Sequence, residues 1–459
     1  MAPKFGTSGL RGRVVDLTPE LVADHIRAFL AACPVGSGLW VGRDLRPSSP
    51  DLAQVVLETA RAAGLETVDC GAVPTPALAL AAMGAGAGAV MITGSHIPAD
   101  RNGLKFYRPD GEITKFDETA ILAALGGPLP DTALGPAIRT QGSAGAEWVA
   151  RYVAAFGPRA LSGLRLGLWS HSAVSRDLIL KALRAMGAEV VELGRSDMFI
   201  PVDTEAVAPE ARAALARWAE EHRLDAILST DGDGDRPLLT DAAGRVIPGD
   251  ILGQISADLL GAETVVTPVS SNSGVALPGR FGKVIRTRIG SPFVIAGMAG
   301  QARAVGYEAN GGFLLGFAAE APAGVLAPLA TRDSLLPMLA PLSRARAAGG
   351  LAALVAAEPA RFTAADRLQE IPTQTSRAFL AGLETDPARI TDFLAPLGET
   401  ADQRDLTDGL RLMLGSGRVL HLRPSGNAPE FRLYCEAETP EAAADLLQAG
   451  LAAIRNMLA

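Results

Sequence analysis

Apolar and polar positions run along the chain in a pattern that occurs three times. Each occurrence starts with an apolar strand that ends in polar residues, at 38–44 (GLWVGRD), 164–170 (LRLGLWS) and 263–270 (ETVVTPVS). A helix-length stretch follows. A second short strand then closes on glycine, at 64–71, 187–194 and, with a weaker apolar signal, 282–290. Strand, helix and strand within about 30 residues predict a βαβ unit, whose crossover makes the two strands parallel. A second helical stretch, such as 77–83 or 209–222, leads to a third strand at 87–93, 224–230 and 302–307. Repetition at this scale means that one supersecondary unit is used three times.

The third strand of each unit ends in a polar, glycine-containing loop: Gly94-Ser95-His96, then Asp231 to Asp235, then Glu308-Ala309-Asn310-Gly311-Gly312. Parallel units present functional loops at the carboxyl ends of their strands, so three units offer three chemically different loops. The last hundred residues depart from the pattern, with a strand near 361–371, helices, a hairpin at 418–438 and an amphipathic helix from Pro440. The expected fold is three similar α/β mixed-sheet domains (1–140, 141–243, 244–352) followed by a smaller α+β domain (353–459). The Ala/Gly/Pro-rich passage 318–329 reads as a loop within the third unit.

Composition narrows the function. The chain has 459 residues, enough for two to four domains with their own cores. Its 42 Lys and Arg against 50 Asp and Glu include no basic block able to neutralise a nucleic-acid backbone, so nucleic acid is not an expected partner. Cys33, Cys70 and Cys435 lie far apart, which suggests neither a disulfide framework nor a zinc site and fits a reducing compartment. Residues 1–12 lack the apolar core of a secretory signal, and a cytoplasmic location is expected. The uncharged stretch 70–99 is built from Ala and Gly and broken by Pro74, Pro76 and Pro98, which argues against a membrane span.

Asp231, Asp233 and Asp235 place three carboxylates within five residues, directly after an apolar strand. They would repel one another without a counterion, and a hard divalent cation such as Mg²⁺ takes oxygen ligands. Gly232 and Gly234 let the backbone curl so that alternate carboxylates converge. A solvated Asp/Gly turn is the plain alternative. An EF-hand is excluded, because its sixth position would be Arg236 and its twelfth Ala242.

A lone serine in a loop is usually a turn residue. Ser95 is distinguished by a strand-end glycine before it and by His96 and Lys105 nearby, which offer proton transfer or charge stabilisation. The hydrolase elbow G-x-S-x-G is absent. Residues 5–12 (FGTSGLRG) look like a phosphate-contacting loop with Arg11 as its charge. Residues 423–429 (RPSGNAP) suit either an anion cradle or an ordinary hairpin loop. Glu308 suits a carboxylate that accepts sugar hydroxyls. The scattered His25, His171, His222 and His421 are assigned no role, although His421, beside Arg423, could touch a ligand there.

Taken together and in order, 5–12, 41–50 (VGRDLRPSSP), 93–98 (TGSHIP), 231–236 (DGDGDR) and 423–432 (RPSGNAPEFR) resemble the motifs of the α-D-phosphohexomutase family, across essentially the whole chain. That family includes phosphomannomutases, phosphoglucomutases and phosphoglucosamine mutases. The resemblance implies a phosphoserine at Ser95, which with Asp231, Asp233 and Asp235 would hold Mg²⁺. Arg236 would flank the metal, and Arg11, His96 and Lys105 would line the reacting centre. Glu308 and Asn310 would meet the sugar, while Arg423, Ser425, Gly426, Asn427 and Arg432 would hold the nonreacting phosphate. It further implies a fourth, TATA-binding-protein-like domain, a central cleft, and a hexose 1,6-bisphosphate as intermediate and activator. The partner expected is a hexose phosphate, with no membrane and with the chain as monomer or homodimer.

The sugar loop departs from the family pattern. Many members read Glu-x-Ser-Gly-His there, whereas this chain has Asn310 for the serine and Gly312 for the histidine. Residues 288–291 also lack a histidine found in some mannose/glucose enzymes. This variant points to mannose phosphate, with glucose and glucosamine phosphates as alternatives. A haloacid-dehalogenase-type phosphatase built on Asp231 would leave Ser95 and residues 423–429 without a task. A non-catalytic sugar-phosphate sensor would have no use for a metal beside a serine.

Overall fold

The computed structural model describes residues 3–6, 9–127, 133–277, 279–425 and 429–458. The chain divides into two compact units, Met1–Val265 with Gly290–Ala357, and Val266–Ile289 with Glu358–Ala459.

In the first unit the repeated pattern becomes repeated sheets. Leu39–Arg43 lies parallel to both Thr67–Ala72 and Gly88–Ile92, with Val41 opposite Asp69 on one side and Val90 on the other. Arg165–Trp169 likewise lies parallel to Glu189–Leu193 and Ala226–Thr230. The strand order second, first, third requires two crossover connections, of the kind that is right-handed in nearly all parallel sheets.

Each third strand then gains an antiparallel neighbour that the hydrophobic pattern does not reveal. Gly88–Ile92 pairs with Arg101–Arg108, Ala226–Thr230 with Pro237–Leu239, and Ala304–Tyr307 with Phe313–Leu315. Phe313–Leu315 pairs in turn with Leu329–Asp333. The chemistry-bearing loops are therefore short reversals between a parallel strand and an antiparallel one. The passage 318–329, expected to be a loop, contains a hairpin of Ala319–Ala321 and Gly324–Leu326. Three-residue strands are too short to show alternation.

Helix Pro19–Ala32 begins where the Thr18 hydroxyl accepts the Leu21 N–H and Pro19 occupies the first turn, which has no use for its missing donor. It buries Val22, Ile26 and Phe29, spaced on one face, against Leu52, Val56 and Leu57 of Ser49–Ala62 and against Val41 and Phe106 of the sheet. Each such side chain contributes about 1.5–3 kcal/mol of burial.

The second unit contains a five-stranded antiparallel sheet in the order Phe362–Gln369, Glu430–Ala437, Val419–Pro424, Leu410–Leu414, Ala401–Asp405. Alternation sorts its faces. Phe431, Leu433 and Cys435 join the core with helix residues Phe379, Phe393, Leu447 and Ile454, which leaves Arg432, Tyr434 and Glu436 on the opposite face. The three cysteines are free and buried, and burial pushes the Cys33 thiol up to about 11 and the Cys70 thiol to about 12, with Cys435 raised further. Among the described residues no helix is long and apolar enough to cross a membrane.

Candidate active site

Ser95 sits in the reversal after Gly88–Ile92 with φ of 55°, the left-handed region that a non-glycine residue enters only when its surroundings impose it. The surroundings here are Thr93 and Arg46. The Ser95 N–H donates to Thr93 Oγ1 at 2.7 Å. Arg46, buried beneath the loop, uses all five of its N–H donors. Nε reaches Asp44 at 3.1 Å, Nη1 reaches the carbonyls of Pro98 and Arg101 at 2.7 and 2.8 Å, and Nη2 reaches those of Ser95 and Ile97 at 3.0 and 2.7 Å. The Phe199 ring covers the guanidinium at 4.1 Å. Asp44 also accepts from Ser49 Oγ at 2.6 Å and Thr93 Oγ1 at 2.8 Å, closing the network.

The aspartate loop follows Ala226–Thr230 and meets Ser95 directly: Ser95 Oγ donates to Asp231 Oδ2 at 2.6 Å. A Cβ at Gly232 would stand 2.8 Å from the Ser95 carbonyl oxygen, so the two loops approach this closely only with glycine there. Asp231, Asp233 and Asp235 are fully buried and each offers a carboxylate oxygen within 4.8 Å of the others. Oδ1 of Asp233 and Oδ1 of Asp235 have no hydrogen-bond partner among the described residues. Burial first, then Asp233 and Asp235, push the Asp231 carboxyl far above the ordinary range. Buried, unsatisfied, mutually repelling oxygens in one small volume fit a hard divalent cation.

Four cations surround the triad. Lys105 Nζ donates to Asp233 Oδ2 at 2.5 Å and Asp235 Oδ2 at 2.6 Å, and Thr75 Oγ1 adds a bond to Asp233 at 2.6 Å. Burial opposes ionisation of Asp233, but Lys105 and these hydrogen bonds outweigh it and hold the carboxyl below its usual range. Arg332 Nη2 lies 2.9 Å from Asp235 Oδ2. Arg236 Nη1 donates to His96 Nδ1 at 2.8 Å, and that nitrogen lies 3.3 Å from Ser95 Oγ. Burial, with Arg236 and Arg11 beside it, pushes His96 down to about 2, so the ring is neutral and accepts. Arg11, on Leu10–Arg13 and paired across to Gly103, is lowered to about 10 by burial and then by Arg236 and Arg332. It stays charged at neutral pH.

Glu308 belongs to the same buried cluster through Arg332, whose Nη1 lies 3.4 Å from Glu308 Oε2. The Asn310 side chain is turned onto its own loop, where Oδ1 accepts the Gly312 N–H at 3.0 Å. Ser95, His96, Lys105, Asp231, Asp233, Asp235, Arg236 and Glu308 are thus joined by contacts of a few ångströms, with Arg11 electrostatically beside them. Sequence reasoning gave Arg46 and Arg332 no role. Their signal was a charge inside a motif or an apolar strand, at Asp44-Leu45-Arg46 and at Ala330-Thr331-Arg332-Asp333.

The remaining expected residues lie on the second unit. Arg423 and Arg432 stand directly opposite on neighbouring strands, and Arg367 stands opposite Arg432 on its other side. Like charges in register are unfavourable unless neutralised. Asp408 Oδ2 lies 3.0 Å from Arg423, and Glu430 spans Arg367 at 3.2 Å and Arg432 at 3.3 Å. Ser425 is buried and donates its N–H to Glu430 O at 2.9 Å. Gly426 and Asn427 lie outside the described residues. His421 is buried, stacked on Tyr434 with Nε2 against the Asp408 carbonyl oxygen at 2.6 Å, so its contacts are within the sheet.

Comparison with known proteins bears on the whole length. The phosphoglucomutase/phosphomannomutase family matches as alpha/beta/alpha domain I over residues 2–126, domain II over 148–244, domain III over 248–362 and the C-terminal domain over 380–453. A phosphomannomutase of Sinorhizobium fredii is 44% identical, with 100% of each chain covered. A phosphomannomutase of Salmonella muenchen is 42% identical over 99% of this chain and 96% of that one. The crystal structure of a phosphoglucomutase/phosphomannomutase family protein from Burkholderia thailandensis has the same fold, with a TM-score of 0.80 at 22% identity over 98% of this chain and 96% of that one. Four domain matches in order, and relatives aligned from end to end, mean that the chain belongs to the phosphoglucomutase/phosphomannomutase family.

Proposed function

We propose that the chain is a magnesium-dependent phosphomannomutase that interconverts mannose 1-phosphate and mannose 6-phosphate through a phosphoserine at Ser95. The observation that carries this reading is the 2.6 Å contact between Ser95 Oγ and Asp231, a nucleophile-bearing loop held against a triad that fits a cation. Mg²⁺ bound by Asp231, Asp233, Asp235 and an oxygen on Ser95 would supply positive charge to the phosphoryl oxygens in transfer.

In the first transfer the bond between Ser95 Oγ and phosphorus breaks while the free sugar hydroxyl forms its own bond to phosphorus, and the hydroxyl proton ends on the departing Ser95 Oγ. The product is the 1,6-bisphosphate. After that bisphosphate turns over, its other phosphate returns to Ser95 and the isomeric monophosphate leaves. Arg11 faces the transferring group as a cation, and Lys105 donates to Asp233 and Asp235. His96, neutral and held by Arg236, keeps an acceptor beside the reacting oxygen. Glu308 and Asn310 form the sugar loop. Arg423, Ser425, Gly426, Asn427 and Arg432 hold the phosphate that is not reacting, where in-register guanidiniums suit a doubly charged anion. The four domains take the bounds 1–140, 141–243, 244–352 and 353–459, and the enzyme works in the cytoplasm as a monomer or homodimer.

Mannose is favoured by the names of the phosphomannomutases of Sinorhizobium fredii and Salmonella muenchen, at 44% and 42% identity, and by the Asn310 and Gly312 variant of the sugar loop. A coupled assay of mannose, glucose and glucosamine 1-phosphates with Mg²⁺ and the matching bisphosphate tests this. The highest kcat/KM is expected for mannose 1-phosphate, with one phosphate on the Ser95 peptide by mass spectrometry. Release of inorganic phosphate without isomerisation, or a higher kcat/KM for another sugar, rejects the reading.

A further inference from the structure

Arg332 reaches the sugar loop from an unexpected direction. It lies on Leu329–Asp333, with its side chain only 3% exposed, and its guanidinium faces three carboxylates. Asp235 of the metal-fitting triad is at 2.9 Å, Glu308 of the sugar loop at 3.4 Å and Glu112 at 3.7 Å. These come from three different units of the repeated pattern. A buried guanidinium with such partners is fixed in place, because withdrawing it strands several carboxylates in a dry interior.

Gly312 makes that placement possible. A Cβ at 312 would stand 2.8 Å from Arg332 Cδ and 3.1 Å from Cγ, closer than side chains tolerate. The head of Arg332 is anchored on carboxylates, so the side chain has little freedom to move aside. Asn310 closes the turn by accepting the Gly312 N–H, which leaves the Glu308 carboxylate to be oriented from outside its own loop. Arg332 provides the orientation: by holding Oε2 it sets the direction in which the rest of the carboxylate faces a ligand.

We propose that Arg332 is a positioning residue for sugar recognition, one that aims Glu308, ties it to Asp235, and occupies the space vacated by having glycine at 312. The inference rests on the mutase reading above and deepens it. Glycine at 312 and arginine at 332 are thus sterically linked in this chain.

The test is a cycle of Gly312→His, Arg332→Ala and the double variant, with melting curves to establish folding. If Arg332→Ala is unfolded, Arg332→Met, which keeps the volume, replaces it. Gly312→His alone is expected to lower kcat/KM for mannose 1-phosphate by at least about thirtyfold, mainly through KM. The double variant is expected to lose no more than the worse of the two single variants and to shift the mannose-to-glucose preference, since coupled neighbours give non-additive effects. Arg332→Lys is expected to stay impaired, because one ammonium cannot span Asp235 and Glu308. Calorimetric binding of mannose 1-phosphate, with Ser95→Ala added to each variant, reads the same coupling without turnover. Additive losses in folded variants, or a Gly312→His enzyme with unchanged kcat/KM, overturn the inference. A wild type that binds mannose 1-phosphate with the expected coupling yet shows no isomerisation would instead count against the mutase reading.

Discussion

The guanidinium of Arg46 donates to the backbone oxygen of Ser95 at 3.0 Å from the buried side of the loop, and the same group holds the carbonyls of Ile97, Pro98 and Arg101. A loop with a left-handed serine and little ladder bonding of its own is kept in one shape by a single side chain. Arg46→Lys keeps the charge but cannot satisfy four carbonyls and Asp44 together, and hydrogen bonds to charged groups contribute about 1.5–3 kcal/mol each. The variant is expected to lose at least about a hundredfold in kcat while KM for the hexose phosphate changes little. Steady-state kinetics with the occupancy of phospho-Ser95 by mass spectrometry measures this. An unchanged kcat rejects the role.

Ser95→Ala removes the phosphoryl acceptor and leaves the Arg46 network to hold the backbone. Turnover is expected to vanish with the melting temperature nearly unchanged, and intact mass is expected to show no phosphate. Full activity in this variant ends the phosphoserine mechanism.

Asp233→Ala deletes one of three converging carboxylates and a partner of Lys105. The Mg²⁺ concentration for half-maximal activity is expected to rise at least about tenfold. Metal should also stabilise the wild type, by about 2.7 kcal/mol at a hundredfold excess over its Kd, seen as a higher melting temperature than in chelator. Equal melting with and without metal rejects the cation site.

Arg423→Ala removes one guanidinium from the in-register pair with Arg432. A fall in kcat/KM of at least about tenfold is expected, since about 1.4 kcal/mol is a decade and a bidentate phosphate contact is worth more. Bisphosphate should also escape more often per turnover, because the intermediate has lost a hold while it turns. Unchanged leakage with unchanged kcat/KM rejects the phosphate site.

The parallel strands and the aspartate triad were legible because they announce themselves locally, as apolar runs closed by glycine and as three carboxylates in five residues. The antiparallel strand Arg101–Arg108 was not, and the reason is Lys105. A strand whose interior carries an ammonium aimed at Asp233 and Asp235 breaks the apolar signal at the point where it matters functionally. Leu329–Asp333 hides for the same reason, with Arg332 and Asp333 buried in a five-residue strand. His421 lies two residues from Arg423 and so on the same face of the strand, where its ring stacks on Tyr434 and its Nε2 lies against the Asp408 carbonyl oxygen. The pairing of Arg423 with Arg432 across a hairpin needed the register, which the loop length alone does not supply.

The three buried thiols give the molecule its own reporters of opening. Thiolates, not thiols, attack disulfide reagents, and burial keeps Cys33, Cys70 and Cys435 protonated and out of reach. Labelling then waits on local or global unfolding, so its rate measures how often each region opens. Cys33 and Cys70 stand in one compact unit and Cys435 in the other. Mass-resolved labelling in rising denaturant therefore tells whether the two units come apart as one cooperative body or one before the other, with no engineered probe.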